Sequence, residues 1–301
     1  MKILITGATG LIGKQLVNKL LNKGYSINIL TRGNTNNVQN KKLKTFHWNP
    51  EKNIIDIDSL NGVKVIINLA GSPIAQLWTK SAKKSILNSR INSVNLLIDS
   101  IKKSKSKISH FYCASAIGIY ESNINYKHYE DSKKKSNSFL GNTVKEWETT
   151  CEKLKPLGID FTILRIGLVL SSKGGLLVPI EKSIRFYLGT WFGKGKNIYS
   201  WIHIEDIIDS IIFLVENNKR GVFNLVAPNP VTSKAFTLEL SKILNKKILI
   251  PPIPISLIKT ITGSMSELLL FSQYVSCEKL KSEGYNFKFN NLTEALKDLL
   301  K

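Results

Sequence analysis

The first thirty-two residues constrain the fold of this chain more than any other stretch. Lys2–Thr6 contains β-branched residues and no helix or strand breaker, which predicts a buried parallel strand. Residues 7–13 carry a glycine at every third position, and apolar residues then recur with helical spacing until Gly24. Residues 26–30 predict a second strand. The order is therefore strand, glycine-rich turn, helix and strand.

Each glycine of this turn has a physical reason. Gly7 lets the chain leave the strand sharply, Gly10 has no side chain to keep a pyrophosphate from the backbone, and Gly13 permits close packing of helix on sheet. The free amides and positive dipole end of the following helix then face the phosphates. The pattern predicts a dinucleotide site, and the alternative is a structural turn without a ligand.

The end of the second strand bears on which dinucleotide binds. NAD sites usually place an acidic residue there, on the ribose 2′-hydroxyl. This chain has Thr31 and Arg32 instead, and it contains no Asp or Glu between Gly7 and Pro50. A guanidinium pairs with a 2′-phosphate that a carboxylate would repel, so NADP is expected. The alternative is a solvated arginine after a strand.

The remaining strand patterns alternate with helical ones, which predicts an α/β protein with a doubly wound parallel sheet. Predicted strands lie at residues 43–48, 63–68, 111–116, 159–166 and 221–225. Predicted helices lie at residues 79–100, 138–155, 234–244, 255–270 and 292–300, and residues 34–40 form a polar loop. Because Leu268, Leu269 and Leu270 would be costly if exposed, the last part of the chain is expected to pack over the nucleotide domain or another subunit.

Composition excludes several classes of function. The net charge is +21, yet only five of the 43 cations are arginines, the lysines are spread along the chain, and no known nucleic-acid module occurs. We therefore expect no nucleic-acid partner. Apolar stretches are too short to span a bilayer and no signal peptide precedes the first strand, so no membrane partner is expected. Three scattered cysteines and four unclustered histidines indicate a reducing cytoplasm and no metal site.

Several motifs together resemble the extended short-chain dehydrogenase/reductase superfamily, and more narrowly the bacterial epimerase family proteins. They are GATGLIG at 7–13, NLAG at 68–71, SAIGIY at 115–120 and WIHIED at 201–206. The resemblance covers essentially the whole chain. It implies a Rossmann-like NADP-binding domain at 1–225, with substrate-wall loops at about 171–200. It also implies a small, mostly helical C-terminal substrate lobe at 226–301, with the group's short C-terminal domain at about 249–297.

The resemblance also implies which residues contact the cofactor. These are Gly7, Thr9, Gly10, Leu11, Ile12, Gly13, Thr31, Arg32, Leu69, Ala70 and Arg90. The alternative for Arg90 is a cation on a helix surface.

The catalytic pair of the superfamily is a Tyr whose pKa is lowered by a Lys four residues later on one helix. Tyr129 and Lys133 match this spacing, but the surrounding stretch is charged, rich in Ser and Asn, and poor in helix formers. Alignment on the acidic loop instead assigns the two positions to Phe139 and Thr143. Neither side chain performs the usual acid–base chemistry.

Other residues are candidates for the chemistry. Ser115 ends its predicted strand and is a candidate hydrogen-bond donor to a substrate oxygen, or a turn former. Tyr120 is a candidate phenol, or a packed loop aromatic. His203 with Asp206 has the spacing of a helix start, which favours a structural role. Trp201 and the glycines at 174–175 and 189–195 predict a mobile, partly aromatic substrate wall.

Three functions remain open at this point. The first is an NADP-dependent oxidoreductase or epimerase acting on a small hydroxylated or carbonyl substrate, possibly one like a nucleotide sugar, with a degenerate Tyr/Lys pair. The second is a catalytically silent NADP-binding protein with a regulatory or partner-binding role. The third is a nucleic-acid-associated protein that uses the positive charge. Either a monomer or a homodimer is compatible with the sequence.

Overall fold

The computed structural model describes residues 1–33 and 40–301. The chain begins with strand β1 (Lys2–Thr6), helix α1 (Leu11–Asn22) and strand β2 (Ser26–Thr31). This order confirms the prediction from the first thirty-two residues. The polar loop predicted at residues 34–40 lies, apart from its last residue, outside the described residues.

The other elements follow the predicted alternation. The further strands are β3 (Leu43–Asn49), β4 (Ile54–Ile55), β5 (Val65–Asn68), β6 (His110–Ala116), β7 (Asn123–His128), β8 (Asp160–Ile166), β9 (Leu168–Ser171), β10 (Gly174–Gly175), β11 (Ile198–Tyr199), β12 (Trp201–His203), β13 (Gly221–Leu225), β14 (Val231–Thr232) and β15 (Gln273–Val275). The further helices are α2 (Lys80–Lys103), α3 (Phe139–Cys151), α4 (Leu177–Arg185), α5 (Ile204–Glu216), α6 (Ser233–Ile243), α7 (Ile255–Thr262), α8 (Ser266–Leu270), α9 (Glu278–Ser282) and α10 (Leu292–Leu299).

One large sheet organises the molecule, in the strand order β13-β8-β6-β5-β1-β2-β3-β4. Its strands are parallel except that β4 pairs with β3 in the antiparallel sense. From β1 the chain first adds β2, β3 and β4 on one side. It then returns to the other side of β1 and adds β5, β6, β8 and β13. Such a reversal opens a crevice beyond the carboxyl ends of the strands, where doubly wound proteins bind ligands.

Helices cover both faces of the sheet, as the predicted fold class requires. On one face, Leu16 and Leu20 of α1 pack with Ile207 and Ile211 of α5 and are fully buried. On the other face, apolar residues of α2 and α3, among them Leu97, pack against the sheet. Each such buried Leu or Ile contributes about 1.5–3 kcal/mol, so the two layers fix the sheet and its crevice in place.

Helix α3 positions part of this crevice and begins where the sequence predicts. Its N-cap is Ser138, whose hydroxyl accepts a hydrogen bond from the Gly141 amide at 3.1 Å. The predicted end at residue 155 is wrong, because the α-helix stops at Cys151 and continues as a 3₁₀-helix to Leu157. Pro156 lies in that last stretch, and proline cannot donate the hydrogen bond that an α-helix needs.

The C-terminal lobe is mostly helical and is joined firmly to the sheet domain. Strand β15 pairs with β7, and the Asp206 carboxylate accepts hydrogen bonds from the backbone amides of Lys288 and Phe289 at 2.8 and 3.0 Å. Leu268 packs against the cluster of Trp78, Ile86 and Leu140, which is one of the two predicted arrangements for the apolar run at 268–270. The division of the chain at residue 225 stays a prediction.

Candidate functional site

The glycine turn between β1 and α1 is shaped as its spacing predicts. Gly7 has a φ of +66°, and a Cβ on it would lie 2.6 Å from the backbone oxygen of Leu69. A Cβ on Gly13 would lie 2.2 Å from the backbone oxygen of Gly7. A Cβ on Gly10 would meet only that same oxygen, at 3.2 Å. The turn is thus closed by backbone at Gly7 and Gly13 and open above Gly10, as a cradle for a pyrophosphate requires.

The N-terminus of α1 is open to an anion. Gly10 is the N-cap and supplies no side-chain cap, and the first turn carries no acidic residue. Within the described ranges, the amides of Leu11, Ile12 and Gly13 donate to no protein acceptor. Thr9 is exposed beside them. Unsatisfied amides at the positive end of a helix are the usual partners of phosphate oxygens, so this end of α1 fits a dinucleotide.

A buried network fixes the neighbouring strand exit. The Thr6 hydroxyl donates to Oδ1 of Asn68 at 2.5 Å and accepts from the Ala70 amide at 3.2 Å. The side-chain amide of Asn68 donates to the Ser93 hydroxyl at 3.3 Å. These bonds hold Leu69 and Ala70 directly against the glycine turn, so the two backbone segments form one edge of the crevice.

The two residues predicted to select NADP lie at the end of β2, which Thr31 closes and Arg32 follows. The Thr31 hydroxyl accepts a hydrogen bond from the Gly33 amide at 3.1 Å, which turns the chain as the strand ends. Arg32 lies within that turn and is exposed. Since β2 is the parallel neighbour of β1, Arg32 stands at the same sheet edge as the cradle. This location fits a ribose 2′-phosphate.

Arg90 is partly buried, and its guanidinium turns back toward the chain that follows β5. Its Nη1 donates to the carbonyl oxygens of Ser72 and Ile86 at 3.2 and 2.8 Å, and its guanidinium carbon lies 5.2 Å from the Trp147 ring centroid. Burial lowers its pKa to about 10. Among the described residues, no carboxylate lies within 4.0 Å of it. A cation without a counter-ion beside the exit of β5 fits an anionic ligand.

The second half of the crevice contains a buried ionic cluster. Ser115 of β6 donates from Oγ to Oε1 of Glu148 at 2.6 Å. Arg165, which neighbours Ser115 on strand β8, donates from Nε and Nη2 to the two oxygens of Glu148, each at 2.8 Å. The Ser115 proton is therefore committed to Glu148, and the lone pairs of its oxygen are left for a hydrogen bond from a ligand. As arranged, Ser115 accepts such a bond and does not donate one.

Tyr120 is held differently from the sequence-based expectation. Its ring is fully buried, and its phenol accepts from Nη1 of Arg165 at 2.8 Å and donates to Oδ1 of Asn224 at 2.7 Å. Burial raises the pKa of this phenol to about 12. A phenol so enclosed does not offer the accessible proton that an acid–base group needs. This geometry corresponds to the packed-aromatic alternative, and it makes Tyr120 a positioning residue for Arg165.

The positions aligned with the usual catalytic pair lack its chemistry. Phe139 is the first residue of α3, and its ring meets the Trp78 ring edge-on at a centroid distance of 5.2 Å. Thr143 is buried and donates from Oγ1 to the Phe139 carbonyl at 2.9 Å. The literal match at Tyr129 and Lys133 lies outside any helix, which confirms that its spacing does not place both side chains on one helical face.

The substrate wall at the glycines of residues 174–175 and 189–195 stays a prediction. A Cβ on Gly174 would lie 3.5 Å from Cδ1 of Leu11, so the β9–β10 loop contacts the cradle. Trp201, by contrast, is fully buried and donates from its indole nitrogen to the Asn229 carbonyl at 3.0 Å. The expectation that its indole forms a mobile wall is wrong, because the side chain belongs to the core.

His203 and Asp206 have the structural role that their spacing favours. Nδ1 of His203 accepts a hydrogen bond from the Glu205 amide at 3.1 Å and so caps α5. Burial lowers the pKa of His203. The Asp206 carboxylate is occupied by the amides of the C-terminal lobe and by the Tyr285 hydroxyl.

The functional residues that the sequence did not single out are Glu148, Arg165 and Lys135. Glu148 follows Trp147 in helix α3, and nothing in the sequence pairs it with Ser115. Arg165 is a charged residue within an apolar strand, which is the one local indication of a buried ion pair. Lys135 lies with Nζ 4.7 Å from the Tyr120 ring centroid, and burial, followed by the charge of Arg165, lowers its pKa to about 8.

Two classes of site are not found in the described parts of the chain. Residues 1–33 and 40–301 contain no group of three or more His, Cys, Asp or Glu side chains that could hold a metal ion. None of the helices described is both long enough and apolar enough to cross a membrane.

Comparison with known families and proteins agrees with this geometry. The sequence profile described as the NAD dependent epimerase/dehydratase family matches residues 3–225, and a domain of unknown function, DUF1731, matches residues 253–299. An epimerase family protein of Staphylococcus epidermidis is 34% identical over 306 residues, covering 100% of this chain and 99% of its own length. One from Staphylococcus aureus is 34% identical over 300 residues, covering 99% and 98%.

Three solved structures are similar to this chain over nearly all of its length. The human epimerase family protein SDR39U1, crystallised with NADPH, superposes with a TM-score of 0.84 at 25% identity, covering 99% of both chains. The nucleoside-diphosphate sugar epimerase of Corynebacterium glutamicum superposes with a TM-score of 0.79 at 25% identity, covering 100% of this chain and 58% of its own. UDP-glucuronic acid 4-epimerase from Bacillus cereus, in complex with UDP-glucuronic acid and NAD, shares the fold with a TM-score of 0.81 at 19% identity, covering 99% and 98%.

Proposed function

Because this chain belongs to the NAD dependent epimerase/dehydratase family, we propose that it is an NADP-dependent oxidoreductase or epimerase. Its substrate is a small hydroxylated or carbonyl compound, with nucleotide sugars as one class to test. The observation that carries the proposal is the cradle, where Gly7 and Gly13 are closed by backbone while the space above Gly10 is open. The three cysteines are free and buried, which fits a reducing cytoplasm.

The cofactor contacts divide into three groups along the crevice. We assign the pyrophosphate to the turn and first helical residues, namely Gly7, Thr9, Gly10, Leu11, Ile12 and Gly13. Thr31 and Arg32 hold the 2′-phosphate ribose, and the exposed guanidinium of Arg32 favours NADP over NAD. Leu69 and Ala70 form the backbone edge beside the turn, and the partly buried cation of Arg90 attracts the ligand's negative charge.

Ser115 is the residue to which we assign contact with the reacting oxygen. NADP, when bound, supplies hydride chemistry at its nicotinamide. Since the Ser115 proton points at Glu148, a substrate hydroxyl donates its hydrogen bond to Ser115 Oγ. With NADP bound to take up the hydride, Ser115 Oγ would accept the substrate hydroxyl proton and would pass its own proton to Oε1 of Glu148. In the reverse direction the same two transfers deliver a proton to a carbonyl oxygen.

A second function remains, because Phe139 and Thr143 replace the usual phenol and ammonium. In that case the chain binds NADP without turnover, and the bound nucleotide stabilises a shape that a partner recognises. The two functions are distinguished by whether a substitution of Ser115 lowers a turnover rate.

The test is a screen of hydroxylated and carbonyl compounds, including UDP-sugars, that follows nicotinamide absorbance. We expect Ser115→Ala to lower kcat at least about 100-fold, within the range that acid–base groups contribute, while NADPH still raises Tm. Ser109→Ala is the matched control, since Ser109 is exposed just before the opposite end of β6. Equal rates for both variants refute the role of Ser115. If NADPH raises Tm but the wild type turns over no compound, the silent function is supported.

A further inference from the structure

A surface far from the cradle combines exposed apolar side chains with positive charge only. It is formed by residues 182–196 and 242–262, which we call the apolar–basic face. The two segments are joined by backbone hydrogen bonds, from Gly193 N to Ile253 O at 2.8 Å and from Ile253 N to Trp191 O at 3.0 Å. The Thr190 hydroxyl donates to the Pro251 carbonyl at 2.9 Å. The two segments therefore form a single surface.

Large apolar side chains are concentrated on this face. Among the described residues, fifteen large apolar side chains are exposed, and seven of them belong to these two segments. They are Phe186 (75% exposed), Tyr187 (43%), Leu188 (61%), Leu249 (63%), Ile255 (44%), Leu257 (49%) and Ile261 (68%). An apolar concentration of this kind marks an interaction surface.

The two segments of the face carry only positively charged side chains, one of which, Arg185, is paired with Glu181 just outside the face at 2.7 Å. The two segments contain no Asp or Glu, and they contain eight cations: Lys182, Arg185, Lys194, Lys196, Lys242, Lys246, Lys247 and Lys259. One of these cations, Lys246, donates from Nζ to the Tyr187 hydroxyl at 3.2 Å and lies 4.6 Å from the ring centroid. Whatever covers the face must therefore be apolar in part and negatively charged.

We propose that the apolar–basic face docks on the surface of an anionic phospholipid bilayer. Leu and Phe side chains that enter the headgroup layer while lysines contact the headgroups are the usual combination of peripheral membrane proteins. A second copy of this chain would bring like charges together.

This docking differs from the expectation of no membrane partner, because that expectation rested only on the lack of a membrane-spanning segment. Its test is separate from cofactor binding. Helix α4 has nine residues, about 14 Å of length at 1.5 Å per residue, and it separates Phe186 from the β10 glycines that border the cradle. Variants on the face are therefore expected to keep the NADPH-induced rise in Tm.

The experiment is co-sedimentation of the full chain with vesicles of phosphatidylglycerol and phosphatidylcholine, or of phosphatidylcholine alone. We expect binding to the anionic vesicles, weakening with added salt, and at least a tenfold loss for Phe186→Ser/Leu188→Ser. Because a lysine near an anionic surface contributes about 1 kcal/mol, Lys194→Gln/Lys247→Gln is expected to weaken binding about 30-fold. The controls are Lys103→Gln/Lys105→Gln, with equal loss of charge, and Ile124→Ser, an exposed apolar residue on β7.

Three results overturn the proposal. They are no binding to anionic vesicles, equal binding to neutral ones, and equal losses for the face variants and their controls. A dimer by light scattering that Phe186→Ser/Leu188→Ser dissociates, without vesicle binding, would assign the face to a second copy.

Discussion

Two single substitutions in the glycine turn, Gly10→Ala and Gly13→Ala, are expected to separate an effect on cofactor binding from an effect on folding. A methyl group on Gly10 meets only the Gly7 oxygen, at 3.2 Å, and the Gly10 backbone at φ −77° and ψ 176° is allowed for alanine. We expect Gly10→Ala to cost about 0.5–1 kcal/mol of stability, since alanine is a poorer N-cap. The same methyl occupies the space where the pyrophosphate approaches, so NADPH affinity is expected to fall about 100-fold, or 2.7 kcal/mol.

The magnitude follows from the linkage between binding and stability. At a concentration 100 times the wild-type Kd, NADPH stabilises the folded chain by about 2.7 kcal/mol, and a 100-fold weaker site retains about 0.4 kcal/mol. At about 2 °C per kcal/mol for a chain of this size, the NADPH-induced rise in Tm shrinks from about 5 °C to about 1 °C. The assay is thermal unfolding with and without NADPH.

Gly13→Ala is the contrasting variant. Its Cβ would lie 2.2 Å from the Gly7 oxygen and 2.8 Å from Cα of Ala8, and both are backbone atoms that cannot rotate away. We expect a loss of about 1–3 kcal/mol or more without any ligand. A full NADPH shift in Gly10→Ala refutes the cradle, and equal stability of Gly13→Ala and wild type refutes the close packing.

Two further predictions concern buried charges. Glu148→Gln leaves the Arg165 cation buried without its carboxylate, so urea unfolding is expected to show a loss of about 3–5 kcal/mol in the free energy of unfolding. The control Glu146→Gln, on the exposed side of α3, is expected to change this free energy little. A loss below about 1 kcal/mol for Glu148→Gln contradicts the buried pair. Burial lowers the pKa of His110 to about 4, so the unfolded chain binds a proton that the folded chain refuses as pH falls from about 6.5 to 4. The free energy of unfolding is expected to decline by about 3 kcal/mol over that pH window. His110→Gln is expected to flatten this decline, whereas His47→Gln, at an exposed histidine, is not. Identical pH profiles of both variants and the wild type would contradict the role of His110.

The sequence predicts the fold well where the determinants are local. The opening strand, turn and helix follow from residues adjacent in the chain, and the parallel sheet follows from the alternation of patterns. The assignment of Phe139 and Thr143 to the positions of the usual catalytic pair stays a prediction, which rests on the acidic loop that precedes helix α3.

The cluster around Ser115 was beyond sequence reasoning for a physical reason. Glu148 on α3 and Arg165 on β8 lie 33 and 50 residues from Ser115, and only the packing of helix on sheet brings Glu148 to 2.6 Å from Ser115 and to 2.8 Å from Arg165. Burial likewise cannot be deduced for single aromatics. Tyr120 and Trp201 are of residue types that often contact ligands, yet both side chains are fully buried in the core.

An equilibrium titration of NADPH and NADH against the wild type and Arg32→Ala tests the central claim most directly. We expect the wild type to prefer NADPH, and Arg32→Ala to lose about 10–100-fold in NADPH affinity with little change for NADH, since a charge-assisted pair contributes about 1.5–3 kcal/mol. Lack of NADPH binding by the wild type, or equal affinity for both nucleotides that Arg32→Ala leaves unchanged, would contradict the account.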